Sequence, residues 1–110
     1  MTVTPVDALF DTGASATCIL HDVAVKLDLP VIGKREMVTA TGLSTMNVYL
    51  ADFVFPFGVP GKSQEGRGKD VMLTEFRSDG TTFKMFLGRD VLCQGMFQMV
   101  GMENKFMFCL

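Results

Sequence analysis

The sequence predicts an all-β domain carrying one or two short helices. Apolar and β-branched runs recur along the chain between clusters of Gly, Pro, Asp and Ser, the pattern of short strands joined by turns. Only two segments, one following Asp22 and one following Arg89, suit a helix, and both are brief. A chain of 110 residues is expected to form one domain over residues 1–110, long enough for a core of its own and too short for two.

The β-branched residues between Thr2 and Phe10 suggest a first strand, whose early part Pro5 confines to an edge. Thr12-Gly13-Ala14-Ser15 then supplies small and turn-forming residues that let the backbone reverse. Thr17-Cys18-Ile19-Leu20 reads as a short buried strand. Asp22 is a suitable N-cap for a helix from Val23 to Leu27, which Leu29-Pro30 ends. Lys34 to Thr41 and Thr45 to Phe55 are extended runs that form a hairpin around Thr41-Gly42-Leu43-Ser44, where Gly42 permits a positive φ.

Pro56 to Lys69 combines Gly58, Gly61, Gly66 and Gly68 with Lys62, Glu65, Arg67 and Lys69, so a mobile surface loop is expected there. Gly61-Lys62-Ser63 is similar to the end of a phosphate-binding loop. That motif needs a Gly where Pro56 stands and a helix afterwards, which excludes a nucleotide site. Val71 to Arg77 and Thr81 to Leu87 form strands about the turn Ser78-Asp79-Gly80. Residues 90–94 suit a helical turn ended by Gly95. Two final strands, Met96 to Val100 and Lys105 to Leu110, turn near Met102-Glu103-Asn104. The unbroken apolar run from Phe106 to Leu110 calls for burial on both faces, since left open it would invite aggregation.

Hydrophobic content of 48%, with 10 Phe and 9 Met, exceeds what one small core needs, and association is the natural outlet. A net charge of −2 with scattered Lys and Arg offers no basic stripe for nucleic acid. The three cysteines, Cys18, Cys93 and Cys109, cannot all pair within the chain, and each sits among apolar residues, so buried reduced thiols are expected. The N-terminal residues lack a positive segment and a long apolar core, and no apolar run reaches about 18 residues. A soluble cytoplasmic or intracellular protein is therefore expected, free of the membrane, either as it stands or after release from a longer precursor. His21 is the single histidine and no spaced Cys pair accompanies it, so neither a metal nor any other cofactor is expected.

The chemistry concentrates at Ala8-Leu9-Phe10-Asp11-Thr12-Gly13-Ala14-Ser15. An apolar strand delivers one acid to a turn of small residues, where substrate main chain can approach and turn N–H groups can orient the carboxylate. A plain turn-capping Asp would explain the acid alone, and by composition Asp-Thr-Gly arises by chance in roughly two per cent of chains this long. The second stretch, Phe86-Leu87-Gly88-Arg89-Asp90-Val91-Leu92, separates the two readings.

With both stretches present, the chain resembles the retroviral-type aspartic proteases (retropepsins) and their cellular and bacterial relatives. Residues 8–15 resemble the family's apolar-apolar-Asp-Thr/Ser-Gly-Ala catalytic turn. Val38-Thr39-Ala40-Thr41-Gly42 looks like the tip of its flap, a hairpin that folds over bound substrate. Residues 86–92 are similar to the apolar-Gly-Arg-Asn/Asp-apolar-Leu segment that packs behind the catalytic turn and starts a short helix. The resemblance implies a closed β-barrel with a flap hairpin. It makes Asp11 catalytic, with Thr12 bracing two turns against each other, Gly13 accepting substrate backbone contacts, Ala14 and Ser15 completing the turn, and Arg89 tying the helix to it. Flap residues Ala40, Thr41 and Gly42 would donate main-chain hydrogen bonds to a bound peptide in a strand-addition mode. Viral members usually carry an acid where this chain has Ser15, which removes that ion-pair partner for Arg89.

Peptide hydrolysis by carboxylates requires one group to take a proton from water while another donates one to the carbonyl. One Asp-Thr-Gly per chain therefore implies a homodimer with a two-fold axis through the site. Ten residues before Asp11 leave no room for the N-terminal strand that viral dimers interleave, so the hairpin from Met96 to Leu110 is expected to build the interface alone, as in some cellular relatives. The expected function is a homodimeric aspartic endopeptidase acting on peptide or protein substrates. A non-catalytic peptide-binding module on the same fold is the alternative, and cysteine catalysis through Cys18 and His21 is a poor third because no orienting group is evident and apolar neighbours raise a thiol's pKa.

Overall fold

The computed structural model describes residues 4–39, 42–57, 64–77 and 82–109. Strands β1 (Ala8–Phe10) and β2 (Cys18–Leu20) precede helix α1 (His21–Lys26), and β3 (Val31–Thr39), β4 (Gly42–Phe57) and β5 (Gln64–Phe76) follow it. Strand β6 (Met85–Leu87) runs into helix α2 (Arg89–Leu92), and β7 (Met96–Val100) and β8 (Lys105–Cys109) close the chain. The first six strands form one sheet in the order β1-β6-β2-β5-β4-β3, while β7 and β8 pair as a separate hairpin. The protein is thus mostly strand with two short helices, as its alternating runs and turn signals predict.

Barrel closure is not found among the described residues. The sheet is open, with β1 and β3 as its outer strands. Strands β1, β2 and β6 hold three residues each, which leaves little length to curve round to β3.

Several boundaries differ from the sequence reading. The first strand covers only Ala8–Phe10, because residues 4–7 are not strand, and residues 1–3 lie outside the described residues. Pro56 to Lys69 is not a surface loop throughout: Pro56 and Phe57 finish β4, and Gln64 to Lys69 open β5. Their ladder runs Phe53↔Gly68, Val54↔Arg67, Phe55↔Gly66 and Pro56↔Glu65, so an apolar partner strand overrides a glycine-rich composition. Strand β6 covers Met85–Leu87 in place of 81–87, and the turn at 78–80 with Thr81 lies outside the described residues. Helix α1 starts at His21, which puts Asp22 inside the first turn and Leu20 at the cap. Leu20 is buried and its N–H bonds the Lys84 carbonyl (2.9 Å), so the chain passes directly from strand to helix. The thiol expectation holds only in part. All three cysteines are free, but Cys93 and Cys109 are exposed, the first just past α2 and the second on the outer face of the last hairpin.

The core gathers Ile19, Ala24, Tyr49, Leu73, Met85, Leu87 and Val91. Against it, Phe10 at the end of β1 packs on Phe97, Phe106 and Phe108 of the last hairpin, with ring centroids 5.6, 5.0 and 5.5 Å away. Paired residues in β7 and β8 share a face, so Phe97, Met99, Phe106 and Phe108 form the inner face, and Met96, Val100, Met107 and Cys109 the outer one. No helix among the described residues is long and apolar enough to cross a membrane.

One close approach fixes how the segment after β6 meets the turn between β1 and β2. A Cβ at Gly88 would lie 2.6 Å from both the carbon and the oxygen of the Ala16 carbonyl and 3.0 Å from the Ala14 oxygen. Those are main-chain atoms that cannot swing aside. Gly88→Ala is expected to cost about 2 kcal/mol, lowering the melting temperature by roughly 10 °C in thermal denaturation followed by circular dichroism.

Candidate active site

Strand β1 carries the chain to Asp11, whose N–H bonds the Leu87 carbonyl of β6 (2.9 Å). The turn closes through Ala14 N–H to the Asp11 carbonyl (3.2 Å). Gly13 N–H donates to Asp11 Oδ1 (3.0 Å), so the turn's own main chain orients the acid. A Cβ at position 13 would stand 3.3 Å from that oxygen, and glycine keeps the approach open. Asp11 is half-buried, Ala14 likewise, and Thr12, Gly13 and Ser15 are exposed.

The Gly88-Arg89-Asp90 segment holds this turn from behind. Arg89 N–H donates to the Ala14 carbonyl (2.8 Å), and its Nη1 donates to the Thr12 carbonyl (3.0 Å). Arg89 therefore grips the turn through main-chain oxygens, which need no acid at position 15. Asp90 does as much. Its Oδ1 accepts from Thr17 Oγ1 (2.6 Å) and from Val91 N–H (2.8 Å), and its Oδ2 accepts from Thr17 N–H (3.1 Å). Thr17 Oγ1 in turn accepts from Gly88 N–H (3.1 Å). Thr17 is fully buried, and its donor, acceptor and carbonyl are all used, the last by Thr74 N–H (3.0 Å).

The structure thus brings Asp11, Thr12, Gly13, Ala14 and Arg89 into one hydrogen-bonded unit. Of the residues expected at the hairpin tip, Gly42 opens β4 opposite Thr39 with φ +120°, the conformation anticipated for it. Ala40 and Thr41 lie outside the described residues. An open cavity of about 550 Å³ lies beside the turn, bounded by Phe10, Thr12, Phe83, Phe97, Met99 and Phe106.

Cys18 and His21 offer no nucleophile and base. Burial, followed by the charges of Asp90 and Asp11, pushes the Cys18 thiol up despite the opposing Arg35, so thiolate is disfavoured. Nδ1 of His21 lies 2.6 Å from Glu75 Oε1. Glu75 is 2% exposed and also accepts from Asn47 N–H at Oε2 (3.0 Å) and from Arg77 Nε at Oε1 (3.0 Å). Burial alone would raise its carboxyl pKa, but the Asn47 and Arg77 hydrogen bonds and positive charge on His21 and Arg77 more than offset that, and the group titrates below its ordinary value.

Sequence reasoning assigned no role to Thr17, Asp90 or Glu75. The available signal for Glu75 was a single acid within the apolar run Val71-Met72-Leu73-Thr74-Glu75-Phe76, since a buried charge must find partners. Asp90 stood in the quoted motif without a function, and Thr17, read as the start of a buried strand, carried no local sign of its partners Asp90 and Gly88.

A family model described as aspartyl protease matches residues 3–91 of the chain. No curated protein and no solved structure matches it.

Because the pKa of Glu75 is lower in the folded protein than its ordinary value, its contribution to stability is complete above the unfolded value of about 4.3 and is lost as pH falls through the folded value. Thermal melts from neutral pH to about pH 3 are expected to fall steeply at the acid end, and Glu75→Gln is expected to be less stable at neutral pH with a flatter acid limb. Parallel melting curves for the two proteins across that range would contradict this.

Proposed function

Since the chain belongs to the aspartyl protease family, of the retropepsin-like kind, we propose that it is a homodimeric aspartic endopeptidase. Water is the nucleophile, and Asp11 of each copy supplies one of two carboxylates. The observation that carries this reading is the Asp11 turn itself: one acid, oriented by Gly13 N–H and braced by Arg89, at a half-buried position beside an exposed Thr12.

A single carboxylate cannot take a proton from water and donate one to the scissile carbonyl in the same step. Two carboxylates about 3 Å apart can. At an effective dielectric near 20 their repulsion is roughly 5 kcal/mol, so one proton stays shared between them, as is general for aspartic proteases. The pair titrates as a unit. In the proposed dimer the exposed Thr12 side chains meet near the two-fold axis. The β3–β4 hairpin of each copy acts as a flap over an extended peptide, with apolar side chains preferred next to the cleaved bond. Residues 1–110 act as one domain in this reading.

The last hairpin supports the second copy. Phe10 packs on its inner face, where Met99 and Phe106 remain exposed (68% and 59%), and the outer face leaves Met96 and Met107 exposed as well (59% and 53%), with Val100 beside them. Apolar surface on both sides of a two-stranded ribbon is what an interface between copies requires.

Asp11→Asn is expected to reduce cleavage of a peptide library by at least about a thousandfold while leaving the dimer mass unchanged. Full residual cleavage would remove the mechanism, and peptide binding without cleavage by either protein would favour a binding module on the same fold. Met107→Glu, on the outer hairpin face, is expected to give a folded monomer by light scattering and to abolish cleavage with it. A Met107→Glu dimer of wild-type affinity would place the interface elsewhere.

A further inference from the structure

We infer that Glu75 is a positioning residue, pinning the root of the β3–β4 hairpin to the body of the sheet through the main chain of Asn47. The inference rests on the proposed role of that hairpin as a flap. The observed pairing of β4 with β5 ends at Val48↔Thr74. The next residue towards the hairpin tip is Asn47, and continuing the register would set it opposite Glu75. There the Glu75 side chain receives the Asn47 N–H at 3.0 Å. From Asn47 to Gly42, β4 pairs with β3 alone among the described residues.

A second tie leaves the other strand. Arg35, opposite Met46, sends Nη1 to Thr74 Oγ1 (3.1 Å), and Thr74 is 2% exposed. Each strand of the hairpin is therefore tied to the adjacent buried pair Thr74 and Glu75. Further out, Val38 and Leu43 are 83% and 73% exposed, so little packing restrains the ribbon there. A two-stranded ribbon is marginal by itself, and its direction is set where it is anchored.

The carboxylate suits this task because its two oxygens divide the work. Oε2 takes the Asn47 N–H, while Oε1 receives Arg77 Nε from just past β5, with His21 Nδ1 at the start of α1 lying 2.6 Å away. A cationic donor, Arg77, on one oxygen fixes the plane of the group and hence the aim of the other. A neutral amide has the shape but not that grip.

The test uses the full chain, comparing wild type with Glu75→Gln and, separately, Arg35→Met. In hydrogen exchange, the Asn47 amide and neighbouring hairpin amides are expected to exchange about tenfold faster in Glu75→Gln, with the core amide of Leu73 changed less than about twofold. In peptide cleavage, KM is expected to rise about fivefold with kcat within about twofold. Equal acceleration at Leu73 would make Glu75 a general buttress, and unchanged hairpin exchange would overturn the inference outright. Should Glu75→Gln fail to fold, Arg35→Met carries the same expectation for the hairpin amides, and no change there would also overturn it. If wild type cleaves nothing but the exchange pattern appears, the hydrolytic reading fails and the anchoring stands. Cleavage without the exchange pattern reverses that outcome.

Discussion

The bond between Thr17 and Asp90 is the constraint on which the rest depends. It joins positions 73 residues apart, and every polar atom in it is used: Thr17 gives its hydroxyl and N–H to the two carboxylate oxygens and receives the Gly88 N–H. With Thr17 fully buried, the network is stiff on that side, because displacing the threonine leaves its donor or acceptor stranded away from water. Its position decides what is stiffened. Thr17 closes the segment that begins at Asp11, and Asp90 follows the arginine that holds that segment's carbonyls. Gly88 is the counterpart in packing, since only a residue without a side chain lets the α2 segment come close enough to the Ala16 carbonyl for these bonds to form.

Much of this was legible in the sequence where local chemistry and structure agree. An apolar lead-in, one acid and a run of small residues specify the strand-to-turn transition at Asp11, and Gly42 marks the hairpin with the positive φ expected of it. What escaped was set by distant partners. The glycines and charges between Gln64 and Lys69 look like a loop until Phe53, Val54 and Phe55 are set alongside them as a ladder. Thr17 and Glu75 take their importance from residues far along the chain, and no short pattern encodes that. The exposed Cys93 and Cys109 mislead in the opposite way, since apolar neighbours in sequence do not ensure burial just past a short helix or on the outer face of a hairpin.

That open face links stability to the proposed chemistry. A ribbon of this composition is half stabilised by Phe10, which stands immediately before Asp11, so the aromatic cluster of Phe97, Phe106 and Phe108 reaches the candidate acid through one peptide bond. In the proposed dimer, covering the outer face with a second copy would brace the same ribbon from the other side. Association and orientation of the acid would then be coupled through packing, without any contact between the interface and the carboxylate itself.

The two arms of the molecule follow opposite rules. Around Asp11, hydrogen bonds converge from β6, α2 and the turn itself, and in the proposed dimer a carboxylate that meets its twin within hydrogen-bonding distance tolerates little freedom. Beyond Asn47 the two strands of the β3–β4 hairpin pair with each other alone among the described residues, and the ties from Arg35 and Asn47 lie at its base. A cover that admits and releases a peptide needs that freedom, yet a cover hinged without direction would sample many orientations and lose binding to entropy. In the proposed reading, anchoring both strands to consecutive buried residues of β5 resolves the conflict: the ribbon keeps its bending freedom and loses its choice of direction. The cost is a charge buried at the hinge, which Arg77 offsets from outside the hairpin, so motion of the proposed cover need not break the ion pair that aims the carboxylate.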